Sequence, residues 1–158
     1  QLSEEVSSTR FNIPIYLYEN KNVMSRIYLA RGVTYVSETD EEKNFKTIIE
    51  SNTNFAHTTF IECADCETMK NQPNHSDALT IEAYRDGYLR VTTKTARDRW
   101  LVFSESNLPG WRITIDGAPA QSYMANYLFH GLPIPAGEHT VLFEYEGVLT
   151  WEYVKSLF

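Results

Sequence analysis

The chain has 158 residues, of which 42% are hydrophobic and 13% aromatic, and its formal net charge is −7. This length suits one domain with a sizeable core, and the acidic balance without a basic cluster excludes the phosphate-neutralising surface of a nucleic-acid-binding protein. No apolar run reaches the roughly 20 residues that span a bilayer, and we expect no signal peptide at Gln1.

The first part of the chain predicts short strands. Residues 1–10 are polar and unpatterned, so we expect an irregular, peripheral lead-in. Runs rich in β-forming residues follow at 13–18, 26–30 and 33–36. Pro14 places the first of these at a sheet edge or strand end, because proline cannot donate to a ladder.

One short helix is predicted over about residues 40–51. Thr39 and Glu42 have the spacing of a capping box, and acidic residues suit the first turn of a helix. Phe45, Ile48 and Ile49 then recur at helical spacing. Strand patterns return at 58–62, 78–84 and 88–93, with Asp86-Gly87 in the turn between the last two.

The stretch 100–145 carries the strongest local signal. Asp116-Gly117 lies between two β-rich runs and predicts a type I′ hairpin, and Gly137 is expected to close a longer hairpin loop. Alternation at Val141, Phe143 and Tyr145 indicates a strand with one buried face. The predicted fold is a mainly β, antiparallel β-sandwich, jelly-roll-like, with one short inserted α-helix in a single domain over 1–158 whose ends, 1–10 and 148–158, are peripheral.

Eight short motifs follow one another along the chain, two in its first half and six in its second half. They occupy residues 18–22, 25–28, 102–105, 108–112, 115–117, 125–131, 135–141 and 143–145. In this order they resemble the C-terminal extracytoplasmic domain of the YfhO family of bacterial multi-spanning membrane proteins, which are similar to GT-C glycosyltransferases.

The resemblance implies a domain on the extracytoplasmic face of the cell membrane, with the transmembrane helices of its parent protein as a partner. It also implies that the glycosyltransferase chemistry belongs to the missing membrane portion, so we expect no enzyme activity and no cofactor in this segment. No catalytic residue of the family can be transferred to it. Trp151, Tyr153 and Lys155 are typical of a membrane interface, although a terminal turn packed on the sandwich would explain them equally well.

Cys63 and Cys66 form a CxxC pair with three interpretations. Without a second pair or spaced histidines the motif is weak as a metal site, and His57 and His75 flank it only loosely. Two structural thiols are one alternative. A local disulfide is the other, if the domain faces an oxidising exterior.

Aromatic residues of the second half suggest sugar binding, because aromatic rings stack on the apolar faces of pyranoses. Trp100, Trp111 and Phe129 lie in strand patterns, where such residues more often belong to the core, and Trp111 shares its face with two isoleucines. Tyr123, Asn126 and Tyr127 occupy a less regular connection, where function is more common. These three, together with Asp116, are the predicted ligand-binding residues.

The sequence gives little evidence for a group of catalytic residues. Glu144 and Glu146 read as a solvent-facing strand side, and His130 and His139 have no nucleophile-elbow motif near them. We therefore expect no catalytic residue and no metal. The leading hypothesis is a non-catalytic domain that recognises or positions a cell-envelope glycan acceptor; the alternatives are a freestanding carbohydrate-binding module and a hydrolytic β-sandwich enzyme.

Overall fold

The computed structural model describes residues 2–7, 14–21, 23–36, 41–50, 52–63, 66 and 76–147. Within those residues the chain forms one helix, α1 (Glu41–Glu50), and thirteen strands. The strands are β1 (Leu2–Ser7), β2 (Pro14–Tyr18), β3 (Ile27–Leu29), β4 (Gly32–Val36), β5 (Thr58–Glu62), β6 (Ala78–Arg85), β7 (Tyr88–Thr95), β8 (Arg99–Ser106), β9 (Trp111–Ile115), β10 (Ala118–Pro119), β11 (Tyr123–Ala125), β12 (Phe129–Ile134) and β13 (Gly137–Tyr145).

Two sheets that share a core form the body of the protein. One has five strands in the order β10-β9-β13-β7-β6, and the other has six in the order β3-β8-β12-β11-β5-β4. Inward-facing residues of both sheets pack into one apolar cluster, which is how a sandwich removes its inner faces from water. The cluster comprises Ile27, Leu89, Val91, Leu101, Phe103, Ile113, Leu132, Ile134, Val141 and Phe143. The predicted mainly antiparallel β-sandwich with one short helix is confirmed.

Helix α1 lies in the connection between two parallel strands. β4 and β5 pair in parallel, and parallel neighbours need a crossover of a dozen or more residues, usually a helix. The predicted helix is confirmed, but the parallel pair was not predicted. Asn44 and Ile48, one turn apart, are buried, whereas Phe45 and Ile49 are 46% and 64% exposed. The predicted cap at Thr39 lies outside the described residues.

Two tight turns agree with the sequence. Asp116 and Gly117 have φ angles of 52° and 82°, and Ala118 pairs with Ile115, as a two-residue type I′ hairpin requires. The turn Asp86-Gly87 joins β6 to β7.

The connection between β12 and β13 differs from the prediction. Gly137 has a positive φ of 130°, but β12 belongs to the six-stranded sheet and β13 to the five-stranded sheet. The predicted hairpin is therefore wrong, and the chain crosses from one sheet to the other. The physical reason is that β8 and β11 already occupy both edges of β12, so β13 has no free edge there.

The lead-in also differs from the prediction. Leu2–Ser7 forms β1, which pairs with β2 in an antiparallel two-stranded sheet, so the expectation of an irregular segment is wrong for these residues. Strand pairing depends on a partner edge that the hydrophobic pattern of one segment does not reveal. The tail at 148–158 lies outside the described residues.

A buried ion pair connects three elements beside the core. Arg99 Nε lies 3.2 Å from Asp77 Oδ2, with side chains only 4% and 7% exposed, and Arg99 Nη2 donates to the carbonyl of Ala30 at 2.9 Å. Removal of one partner would leave a buried charge uncompensated, at a cost of about 3–5 kcal/mol. The pair therefore holds the ends of β3 and β8 to the segment that precedes β6.

Candidate functional site

A cleft of about 250 Å³ opens at one end of the sandwich, where strands of both sheets end. Its walls come from the β6–β7 turn, the end of β8 and the link from β8 to β9. The first residue of β9 and the last residue of β13 complete them. The residues that line it are Asp86, Gly87, Glu105, Ser106, Leu108, Trp111 and Tyr145.

Main-chain hydrogen bonds hold these walls together. The N–H of Tyr145 donates to the carbonyl of Gly87, and the N–H of Glu146 donates to the carbonyl of Gly110, both at 2.8 Å. Gly110 has a φ of 106°, and a Cβ there would meet the main chain of Gly147 at 2.9 Å. Glycine thus allows the end of β13 to lie close to the corner that begins β9.

Two aromatic side chains form one wall of the cleft. The rings of Trp111 and Tyr145 have centroids 5.3 Å apart at an interplanar angle of 53°. Trp111 is half-buried and packs edge-on against Phe103 at 5.7 Å, whereas Tyr145 is 39% exposed. The predicted core packing of Trp111 is thus seen, but its ring also reaches the cleft.

A buried histidine supports the wall from behind. The ring of His130 lies 5.3 Å from that of Trp111 and stacks on Phe103 at 6.2 Å. Burial lowers the pKa of His130 from 6.5 to about 4, and the main chain of Ser106 opposes this only in part. Within the described chain, Nε2 has no partner in hydrogen-bonding geometry. The imidazole is therefore neutral at pH 7 and serves as a packing group behind Trp111.

The two carboxylates of the cleft differ in their partners. Glu105 accepts a hydrogen bond from Arg26 at 3.0 Å, and the same guanidinium donates to Tyr84 Oη at 2.6 Å. Asp86 is exposed and has no hydrogen-bond or ion-pair partner among the residues that the structure describes. The guanidinium of the preceding Arg85 lies 3.9 Å from the centroid of the Tyr88 ring. The carboxylate of Glu105 is thus already paired with Arg26, whereas that of Asp86 can accept a hydrogen bond from a ligand.

A second ionic group lies on the adjoining strands. Arg112 pairs with both Glu144 and Glu146, and the hydrogen bond to Glu146 together with the charge of Glu144 raises the pKa of the guanidinium. Glu144 and Glu146, for which the sequence predicts a solvent-facing strand side, are therefore ion-pair partners of one arginine.

The predicted ligand residues Asn126 and Tyr127 form a turn at the end of β11. Both have left-handed backbones, with φ angles of 49° and 70°. The Asn126 side chain accepts from the N–H of Phe60 at 2.9 Å and donates to Tyr28 Oη at 3.2 Å, so its polar atoms already serve the fold. Tyr127 is 38% exposed and packs on Phe45, with ring centroids 5.2 Å apart.

The remaining aromatic candidates pack against the outer face of the six-stranded sheet. Trp100 is fully buried, and its Nε1–H donates to Tyr35 Oη at 3.0 Å. Tyr123 contacts Trp100 edge-on at 5.5 Å, and Phe129 packs on the same cluster. This sheet therefore buries aromatic residues on its outer face as well, which leaves Trp100 without a free face for a ligand.

Asp116 lies on the other sheet, in the β9–β10 turn. Its Oδ1 accepts from the N–H of Thr140 at 2.8 Å, and its Oδ2 lies 2.7 Å from His139 Nδ1. The hydrogen bond from His139 lowers the pKa of Asp116, and the same contact raises the pKa of His139. The structure thus brings Asn126 and Tyr127 together in one turn, but Asp116 belongs to a different sheet and joins two strand ends there.

Cys63 and Cys66 are joined by a disulfide. Among the described residues no group of three or more His, Cys, Asp or Glu side chains is arranged to hold a metal ion, and His75 lies outside them. The disulfide borders the cluster that Trp100 occupies. Of the three interpretations of the CxxC motif, the structure therefore has the disulfide.

The cleft was missed by the sequence interpretation. The sequence patterns predict a turn at Asp86-Gly87 and an alternating strand that includes Tyr145, but not that the two lie together. Their shared position depends on how the two sheets end, which residues distant in sequence decide together. The usable signal was the motif Leu108-Pro109-Gly110-Trp111, in which an aromatic residue follows a corner that needs glycine.

Comparisons with known proteins place the chain in a family. In the part of the chain that the structure describes, no helix has both the length and the apolar character of a bilayer-crossing segment. No curated protein and no solved structure gives a significant match. The model of the family described as bacterial membrane protein YfhO matches residues 6–148, most of the chain. The chain therefore belongs to the YfhO family of bacterial membrane proteins.

Proposed function

We propose that this domain binds a cell-envelope glycan on the extracytoplasmic face of the membrane and positions it for a glycosyltransferase-like membrane portion of the same protein. The cleft is the observation that carries the proposal. It combines the rings of Trp111 and Tyr145 with the carboxylate of Asp86 and the hydroxyl of Ser106. Aromatic rings suit the apolar faces of sugars, and a few fixed polar groups suit their hydroxyls.

Two observations support the compartment and the partner. The disulfide between Cys63 and Cys66 is typical of an oxidising environment outside the cytoplasm. Membership of a membrane-protein family supports the transmembrane helices of the parent protein as the partner of this domain. In this arrangement the domain holds the acceptor glycan while the membrane portion carries out transfer.

The domain has no catalytic part in this proposal. The common mechanisms of glycoside hydrolysis use two carboxyl groups, one on each side of the scissile bond. In the cleft Arg26 already engages Glu105, which leaves Asp86 as the uncommitted carboxylate. A cleft with one available carboxylate and an aromatic wall suits binding better than bond cleavage.

A titration followed by NMR tests glycan binding. Neutral cell-wall saccharides are added to ¹⁵N-labelled protein while the indole N–H signals are recorded. We expect a saturable shift of the Trp111 signal, whereas that of buried Trp100, bonded to Tyr35, should stay in place. No shift at millimolar saccharide would overturn the proposal.

Two tyrosines of nearly equal exposure provide matched variants. Tyr145 is 39% and Tyr127 is 38% exposed, but only Tyr145 lines the cleft. We expect Tyr145→Ala to weaken binding by about tenfold, because loss of one stacking ring costs about 0.5–1.5 kcal/mol plus buried area, and Tyr127→Ala to leave it unchanged. The opposite pattern would move the site to the turn of Asn126 and Tyr127.

The parent reading frame tests the membrane context. We expect hydrophobic segments of roughly 20 residues in it, the length that crosses a bilayer. A signal peptide without such segments would instead favour a freestanding carbohydrate-binding module.

A further inference from the structure

We infer that the cleft selects glycans that carry a protonated primary amine, and that Asp86 is the residue that recognises this amine. The inference rests on the proposed glycan-binding function and adds the chemical class of the ligand. It depends on the charge of the cleft and on the aromatic wall beside it.

The charge of the cleft favours a cation. Its lining includes two carboxylates and no lysine, arginine or histidine. Arg26 neutralises Glu105 through a hydrogen bond of 3.0 Å, whereas Asp86 has no described partner. Arg85, next to it in sequence, has its guanidinium over the ring of Tyr88. A ligand that brings one positive charge therefore completes the pairing inside the cleft.

The aromatic wall favours the same ligand. Trp111 and Tyr145 stand side by side, with centroids 5.3 Å apart, and Tyr145 is 39% exposed. An ammonium group near such rings is attracted by their negative faces, while the pyranose ring that carries it packs on their surfaces. An amino sugar with a free amine uses the carboxylate and the rings together. A phosphorylated or uronic-acid glycan would meet the charge of Asp86 and be disfavoured.

The expected preference is modest because Asp86 is exposed to solvent. Ion pairs at exposed sites and cation–π contacts are weak individually, and together they correspond to a preference of about three- to tenfold. The amine thus provides selectivity, while ring stacking provides most of the affinity.

Two oligosaccharides of equal length separate the amine from the sugar. A short oligomer of glucosamine and its fully N-acetylated counterpart share their linkages, and at mildly acidic pH they differ in charge. Each is titrated into the labelled protein while the indole signal of Trp111 and the amide signal of Gly87 are followed. We expect the glucosamine oligomer to bind about three- to tenfold more tightly.

Two variants that each remove one negative charge test whether Asp86 is the residue that recognises the amine. Asp86→Asn keeps a residue that turns accept well and should abolish the preference. Glu50→Gln removes the same charge from the exposed surface of α1, outside the cleft, and should leave the preference unchanged. Equal affinity of the wild type for both oligomers, or a preference that survives Asp86→Asn, would overturn the inference.

The outcomes also separate this inference from the proposed function. If both oligomers shift the Trp111 signal with equal affinity, glycan binding stands and amine selection is wrong. If neither oligomer binds, both proposals fail.

Discussion

Acidification is expected to destabilise this protein through one residue, His130. The ring is fully buried among Phe103, Trp111 and Phe143, and burial lowers its pKa from 6.5 to about 4. The unfolded chain therefore binds a proton more readily than the folded protein does. The stability that neutral His130 confers is complete above pH 6.5 and is lost as the pH falls toward 4.

The magnitude follows from these two pKa values. A pKa difference between 6.5 and about 4 makes protonation of the folded protein about 3 kcal/mol less favourable than protonation of the unfolded chain. At about pH 5, where most unfolded chains carry the proton and most folded molecules do not, the loss relative to pH 8 is about 2 kcal/mol. That is a large fraction of the stability of a typical domain.

Urea unfolding monitored by tryptophan fluorescence at a series of pH values measures this loss. Leucine is similar in size to histidine and cannot titrate, so His130→Leu should unfold with a free energy that falls less between pH 8 and 5. The difference from the wild type should change by about 2 kcal/mol over that range. Carboxylates shared by both proteins cancel in this comparison.

His139 provides a control of opposite sign. Asp116 raises its pKa, so its stabilisation is complete below the ordinary pKa and is lost as the pH rises through the folded-state value. The free energy of unfolding of His139→Gln should therefore fall at least as much as that of the wild type between pH 8 and 5. If the free energies of the wild type and His130→Leu stay parallel from pH 8 to 5, the folded protein accommodates the charge of His130, and the reasoning is refuted.

Substitutions at two positions and reduction of the disulfide test the local structure by the same unfolding assay. Asn126→Ala removes the acceptor of the Phe60 N–H and places alanine at a left-handed backbone position, so it should lower the free energy of unfolding by about 2 kcal/mol. Asn126→Asp keeps the acceptor and should lower it less. Gly110→Ala should destabilise by at least about 1 kcal/mol because φ is 106° there, and an alanine that costs nothing would contradict the tight corner. Reduction of the Cys63–Cys66 disulfide should cost about 2 kcal/mol or less, since the closed loop is short; complete unfolding on reduction would contradict this.

Local structure was predictable where a short segment determines its own conformation. The Asp116-Gly117 turn requires positive φ at both residues, and few other dipeptides tolerate that, so the hairpin could be read directly. The helix over Glu41–Glu50 was predicted from its acidic start and apolar spacing. Pairing between strands was not predictable in the same way: Pro135-Ala136 looks like a hairpin link, yet it connects the two sheets.

The residues of the candidate site also differ in how far the sequence could predict them. Trp111 could be recognised as an aromatic residue after a glycine corner, and its inward alternation with Ile113 is seen in the structure. For Asp86 the sequence predicted a position in a turn but no role in a binding site. It becomes a site residue only because β6, β8, β9 and β13 end at one place, where Tyr145 bonds to Gly87. Asn126 looked available for a ligand, but its side chain is bonded to Phe60 and Tyr28.

The fold class, the helix, the tight turns and the family could be predicted from the amino-acid sequence, because each of these depends on residue spacing or on motifs within short segments. The parallel β4–β5 pair, the crossing from β12 to β13, the burial of His130 and the cleft between Asp86 and Tyr145 became visible only in the folded chain. These features depend on which strand edges remain free and on which ends of the sheets coincide. Both are set by the packing of residues far apart in sequence, and local propensity carries no information about them.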